Sequence, residues 1–373
     1  MQDKQISAMQ FFILLFMFII GSATMLIPSI VTPYTKQDVW ISALIAIPIT
    51  FPLLYLYVSL GKRYPDMTLA QYTEKILGKW FGKVVSFLFF LYFLLITSAL
   101  LRQMAEMLVT IVMPETPIHA VIIIYFSAIV IAVRLGLETF SRAAEIFFPW
   151  VILFLALVML FLLPLMKAEQ LQPIMGSGLG PILYGAFTIV GIPYLDLVIF
   201  LMLVPHVPSF QKVKKAYFLS VIIGGGGIIV IAALSIMVLG TELTAVSTYP
   251  IYDLAQKVNI AEFIQRIEAF VGAIWIITMF FKTTVCFYAA AATLSQISGL
   301  KQQNLLTFPL SLIVIALAGI LFPNSVYFFS FAAEIWTPNV TLYGVFLPLL
   351  LLIVDTIKTK RQQAGKEDTH GTK

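Results

Sequence analysis

Apolar residues in this chain follow neither the 3.6-residue nor the two-residue period of a half-buried element. They run on for about twenty at a time, separated by short stretches in which Lys, Arg, Pro and Gly collect. A helix of about 20 apolar residues crosses the hydrocarbon core of a bilayer, so each run predicts one transmembrane segment. The first five lie at about 8–33, 39–60, 84–113, 118–135 and 143–165. The second five lie at about 181–204, 216–239, 263–292, 305–322 and 338–357. The pattern predicts an all-α polytopic membrane protein of about ten transmembrane helices. It would form a single transmembrane domain over 1–357, with halves of about 8–165 and 181–357 and a cytoplasmic tail at 358–373.

Composition agrees: 60% of the 373 residues are hydrophobic and 11% are charged, where a soluble domain carries roughly a quarter charged residues. The net charge of +5 is not a nucleic-acid footprint, because the basic residues are scattered over short loops instead of forming one patch. Seventeen Lys and Arg fall in one alternating set of loops and ends and four in the other. Basic residues in short loops are held on the cytoplasmic side, so both termini are expected there. The run after Gln2–Gln5 is too long for a signal peptide and lacks a small-residue cleavage site, so the first segment is expected to stay in the membrane. The lone Cys286 excludes an intrachain disulfide, and nothing offers a Cys/His metal cluster or calls for a cofactor. The three histidines lie at segment ends or in the tail, and no Ser/His/Asp arrangement can be assembled; the sequence does not read as an enzyme.

Two segments carry helix-breaking clusters in mid-membrane. Segment one holds Gly21, Ser22, Ala23 and Thr24 ahead of Pro28, and segment six holds Gly191, Ile192, Pro193 and Tyr194 followed by Asp196. They open two halves of five segments, and an odd number makes the second half start from the opposite side, as in a five-plus-five inverted repeat with broken helices 1 and 6. Unwound backbone is tolerated in a bilayer only where protein or a cavity surrounds it, so the breaks are expected to face each other. Opposed half-helix ends offer N–H groups to a carboxylate and carbonyls to an ammonium, which suits a zwitterionic amino acid. The alternative is that Gly and Pro merely kink ordinary spans.

Two basic residues fall inside spans, where an unpaired charge is costly. Arg102 stands four residues from Glu106 on one helix face and can form a buried ion pair. Lys282 adjoins Thr283 and Thr284, a possible ion or coupling site; its ammonium can replace a transported cation, neutralise Asp196, or bridge two helices. Asp196 can hold a ligand ammonium, carry a proton, or cap the half-helix after the break. Gly224 to Gly227 reads as a close-packing surface. The largest outer loop, about 240–262, has room for a short surface helix or lid.

The order of several short motifs resembles a known family, the endospore germination permeases, which are the B subunits of nutrient germinant receptors. They are Gln5-Ile6-Ser7 to Gly21 followed by Pro28, Pro114-Glu115-Thr116-Pro117, Arg134-Leu135-Gly136-Leu137-Glu138 to Arg142, the 191–196 break, and Tyr249-Pro250. The family is similar to the amino acid, polyamine and organocation transporters, and the resemblance implies their inverted-repeat fold with ligand held between segments one, three, six and eight. It implies a subunit that senses a small germinant, often an amino acid, in the spore inner membrane beside an A subunit and a lipoprotein C subunit. It also implies that backbone around Gly21–Thr24 and Gly191–Tyr194 holds the ligand, and that Thr283 and Thr284 stand where relatives coordinate sodium. A secondary amino-acid transporter and a structural subunit with a vestigial pocket are the other readings.

Overall fold

The computed structural model describes residues 6–257, 268–300 and 302–370. Ten apolar helical segments stand among them. They are α1 (Ala8–Thr35), α2 (Val39–Arg63), α3 (Lys79–Val112), α4 (Ile118–Leu135), α5 (Leu137–Leu165), α6 (Leu179–Met202), α7 (Phe210–Leu239), α8 (Glu268–Ile297), α9 (Asn304–Ile320) and α10 (Ser325–Arg361). The expected start of the eighth segment at Phe263 lies outside the described residues. The outer loop carries two short helices, Thr241–Val246 and Pro250–Gln256, and a further one, Leu69–Leu77, follows α2.

Burial explains the hydropathy pattern. Every residue of α1 from Gln10 to Thr32 is buried, which is why α1 is apolar all round with no lipid-facing stripe. It is the central post, packed on α7, α8 and α6, while α3 packs on α8 and α2 lies against α7 and α6. Three of the four glycines of α7, Gly224, Gly225 and Gly227, serve this packing. A Cβ on Gly224 would come within 2.9 Å of Ile19, and one on Gly225 within 2.7 Å of the Tyr194 hydroxyl.

The expected interruption of segment six is present, and that of segment one is not. In α6 an α-helix ends at Ile189, a widened π-turn spans Val190–Tyr194, and a 3₁₀ stretch continues over Leu195–Met202. By contrast α1 is helical without a break through Gly21–Thr24. Glycine and serine are tolerated in a membrane helix, and the Thr24 hydroxyl donates to its own turn at Ile20 O, 3.1 Å away. Pro28 removes a single N–H from the ladder, and the helix continues past it to Thr35.

A second irregular helix was not expected. α10 begins at Ser325, well before the Pro338 start read from the sequence, and contains π-turns at Phe331–Ile335 and Leu342–Phe346. Each precedes a proline, Pro338 and Pro348, and the turn in α6 contains Pro193. The freed polar groups find side-chain partners, as backbone inside a membrane must. The Tyr57 hydroxyl lies 2.7 Å from Gly344 O and 3.2 Å from Leu195 O.

Clamps close both ends of the bundle. On the face where α1 starts and α10 ends, the terminal face, Asp355 of α10 accepts from Arg63 and from the Tyr64 hydroxyl, each at 2.5 Å. Burial and this carboxylate raise the Tyr64 phenol to about 12. On the opposite face the fully buried Asp38 accepts from the backbone N–H groups of Met175 (2.9 Å) and Ser177 (3.0 Å) and from the Ser177 hydroxyl (2.7 Å).

Candidate functional site

The two irregular helices meet α1, α3 and α8 around a central cavity of about 30 Å³. That is room for roughly one or two waters. Most of its wall is apolar: Leu26 from α1, Ile96 and Leu100 from α3, Ile192 from α6, and Phe328, Phe331 and Trp336 from α10. Four polar side chains break that wall, namely Ser22, Gln103, Asp196 and Lys282.

Lys282 and Asp196 are each 1% exposed, so the charges are out of water and stand only because they offset one another. The Lys282 ammonium donates to the Ser22 hydroxyl at 2.6 Å and sits 4.5 Å from the centre of the Phe18 ring. Asp196 accepts from the Tyr92 hydroxyl at 2.6 Å, and the two charged groups are 3.8 Å apart. Tyr92 is held by a stack on Tyr343 of α10, with centroids 4.5 Å apart. Gln103 is 2% exposed, and its Nε2 has no hydrogen-bond partner among the described residues.

Larger recesses approach from both faces. One of about 640 Å³ on the terminal face is lined by Thr68, Gln71, His206 and Gln296, and one of about 370 Å³ on the opposite face by Ser29, Tyr34, Ser325 and Glu334. Phe328 and Phe331 face the central cavity whereas Ser325 and Phe329 face the outer recess, so the first turns of α10 partition the two. Arg102 Nε donates to Glu106 Oε1 at 2.8 Å, and Glu106 Oε2 accepts from the Ser325 hydroxyl at 2.7 Å. The ion pair thus ties α3 to that partition.

Of the residues singled out in the breaks, Ser22, Ile192 and Asp196 come together at the cavity with Lys282. Gly21, Ala23 and Thr24 are buried in α1 but do not line it. Gly21 is a helix contact, where a Cβ would lie 3.4 Å from Thr278 O. Gly191 faces α10, and a Cβ there would meet Thr337 Oγ1 at 2.1 Å. Tyr194 is buried against α7. The Thr283 and Thr284 hydroxyls donate to their own helix, at Met279 O (2.8 Å) and Phe280 O (2.7 Å). Among the described residues no group of three or more His, Cys, Asp or Glu could hold a metal ion.

Sequence reasoning missed Tyr92, Gln103, Phe18 and the α10 wall. Tyr92 and Phe18 sit in aromatic runs and carry no distinguishing signal. An uncharged amide in mid-span beside Arg102 was a signal, since an amide buried without a partner is costly.

This architecture is that of the inverted-repeat transporters. Solved structures superpose along most of the chain: MhsT in complex with L-phenylalanine at a TM-score of 0.70 and 13% identity, covering 95% of this chain and 99% of that one. MHP1, a nucleobase-cation-symport-1 family transporter in a closed conformation with bromovinylhydantoin bound, superposes at 0.69 and 12%, covering 92% and 78%. At such identities the likeness shows the fold alone. The model of the spore germination protein family matches residues 5–325, and the chain belongs to that family, the multi-pass membrane B subunits of nutrient germinant receptors. Among its relatives in Bacillus subtilis (strain 168), spore germination protein KB is 29% identical over 98% of both chains, and spore germination protein YndE is 27% identical over 94% of this chain and 96% of its own.

Proposed function

We propose that the central cavity receives a small zwitterionic amino acid, and that its binding is the signal this subunit passes to an A and a C subunit in the spore inner membrane. The observation that carries this reading is the buried Lys282–Asp196 pair, open at 3.8 Å, on the edge of a largely apolar cavity. The pair is neutral as a unit, so a ligand with net charge would leave an uncompensated charge in a low-dielectric site. A zwitterion keeps the balance: its carboxylate meets the ammonium, its ammonium meets Asp196, and its side chain rests on Leu, Ile, Phe and Trp. A sugar would find too few polar partners on those walls.

The cavity of about 30 Å³ does not admit such a ligand as it stands. Entry moves α10, the wall with two π-turns, and that displacement is the signal a sensor needs. Lys282 also bears on transport. A fixed cation one residue from Thr283 repels a mobile cation at those hydroxyls, which disfavours sodium coupling there. The chain binds its ligand without chemical change, and the excess of basic residues in one alternating set of loops supports a cytoplasmic side for both termini.

The test is binding against transport. Purified protein in liposomes should bind one or more neutral L-amino acids yet show little concentrative uptake under a sodium or proton gradient. Gradient-driven accumulation would establish the second reading, a secondary amino-acid transporter, which the shared fold favours. Labelling of a Lys75→Cys variant in a Cys286→Ala background should find that position inaccessible from outside.

A further inference from the structure

We infer that Gln103 of α3 reads the carboxylate end of the ligand and so sets the specificity of the cavity for acids. The inference rests on the zwitterion reading above and deepens it.

Four buried polar side chains reach the cavity, and three are already engaged. Ser22 accepts from Lys282, Lys282 also faces Asp196 and the Phe18 ring, and Asp196 accepts from Tyr92. Gln103 differs. It is 2% exposed and its side-chain nitrogen has no acceptor among the described residues. A buried amide N–H without a partner is rare in folded proteins, because it forfeits its bond to water and gains nothing. Packing alone would be served better by a leucine of similar size. Gln103 lines the recess that α1, α3, α6, α8 and α10 enclose together, and a turn of its amide about the last side-chain bond brings the unpaired nitrogen to an acceptor held in that cavity.

The chemistry of that acceptor follows from the donors around it. The nitrogen of a carboxamide only donates, and the Lys282 ammonium has N–H groups beyond the one given to Ser22. Two donors from opposite elements, one charged and one neutral, match the two oxygens of a carboxylate. The carboxylate of Asp196 remains for the ammonium of the ligand. The amino acid is thereby oriented, with its acid end between α3 and α8 and its amine towards α6.

The experiment uses the full-length purified protein and titrates L-alanine, L-valine, L-leucine and L-phenylalanine by ligand-induced thermal shift. The tightest binder is then compared with its amino alcohol, which keeps the amine and side chain and lacks the carboxylate. The alcohol, a net cation, should bind wild type more weakly than the acid. Gln103→Leu should weaken binding of the acid at least about tenfold, the usual worth of a hydrogen bond to a charged group, and weaken the alcohol, whose single neutral oxygen accepts a weaker bond, by less. Gln103→Glu should weaken the acid further by like-charge repulsion. Without ligand, Gln103→Leu should melt no lower than wild type, since it removes a buried side-chain nitrogen that has no partner among the described residues. If Gln103→Leu is not recovered, Gln103→Met makes the same comparison. Equal loss for acid and alcohol, a lowered melting temperature without ligand, or unchanged affinity would overturn the assignment of Gln103 alone. Failure of wild type to bind any of the four would overturn the zwitterion reading and this inference with it.

Discussion

Lys282 and Asp196 face each other across 3.8 Å in the centre of the membrane domain, each directing its short hydrogen bond elsewhere, to Ser22 and from Tyr92. Removing one partner strands the other charge, which costs about 3–5 kcal/mol for a buried pair. Lys282→Met should therefore lower the melting temperature of the detergent-solubilised protein strongly. The double variant Lys282→Met/Asp196→Asn should recover much of the loss, because no bare charge remains. A double variant as unstable as the two single losses combined would show that the residues act independently.

The two glycines of the expected breaks should respond unequally to a single methyl group. At Gly21 a Cβ makes ordinary contact at 3.4 Å, whereas at Gly191 it overlaps Thr337 at 2.1 Å. Gly21→Ala should be close to neutral. Gly191→Ala should destabilise by about 1–3 kcal/mol through overpacking, and Thr337→Ala should relieve it. Equal melting temperatures for the two alanine variants would contradict this. Because Gly191 faces α10, a bulky residue there reports helix packing before it reports ligand contact.

Much of the fold was legible in the sequence because a bilayer leaves little choice: runs of apolar residues are spans, and the charges between them mark the ends. The α6 break was legible because Gly191 and Pro193 stand beside a carboxylate. The same logic failed at Gly21–Thr24, where small residues let α1 approach α8 without unwinding. It also missed the start of α10, since Glu334 and Pro338 resemble a loop while the π-turns keep that stretch helical. At the site, Lys282, Asp196 and Ser22 were visible as polar residues in hydrocarbon. Tyr92 and Phe18 were not, because an aromatic in an apolar run gives no sign of whether it faces lipid, a neighbour or a cavity.

The clamp at Asp38 predicts a stability effect remote from the cavity. Asp38→Ala leaves the backbone N–H groups of Met175 and Ser177 without their acceptor, at a cost of about 0.5–1.5 kcal/mol per bond, since donors on this partly exposed turn can bond to water instead. A lowered melting temperature with unaltered ligand affinity is the expected outcome. Loss of affinity at unchanged stability would place Asp38 in a different role.

A pH dependence follows from His206, which is buried at the terminal face and whose Nδ1 has no partner among the described residues. Burial lowers its pKa below 6.5 by disfavouring the imidazolium. The unfolded chain then binds a proton that the folded chain refuses. This contribution is full above about pH 6.5, falls as the pH drops towards the folded value, and levels off below it. Melting temperatures taken from about pH 7.5 to 5 should fall more steeply for wild type than for His206→Gln. Parallel curves would contradict the account.

The most direct test of the central claim is equilibrium binding of neutral L-amino acids to purified wild type and to the double variant Lys282→Met/Asp196→Asn, which keeps the cavity neutral but removes its charges. Saturable binding by wild type, with at least about a hundredfold loss in the double variant while the protein stays folded, is the predicted result. Equal affinity in the two proteins would contradict it, because the ligand would then be held somewhere other than between Lys282 and Asp196.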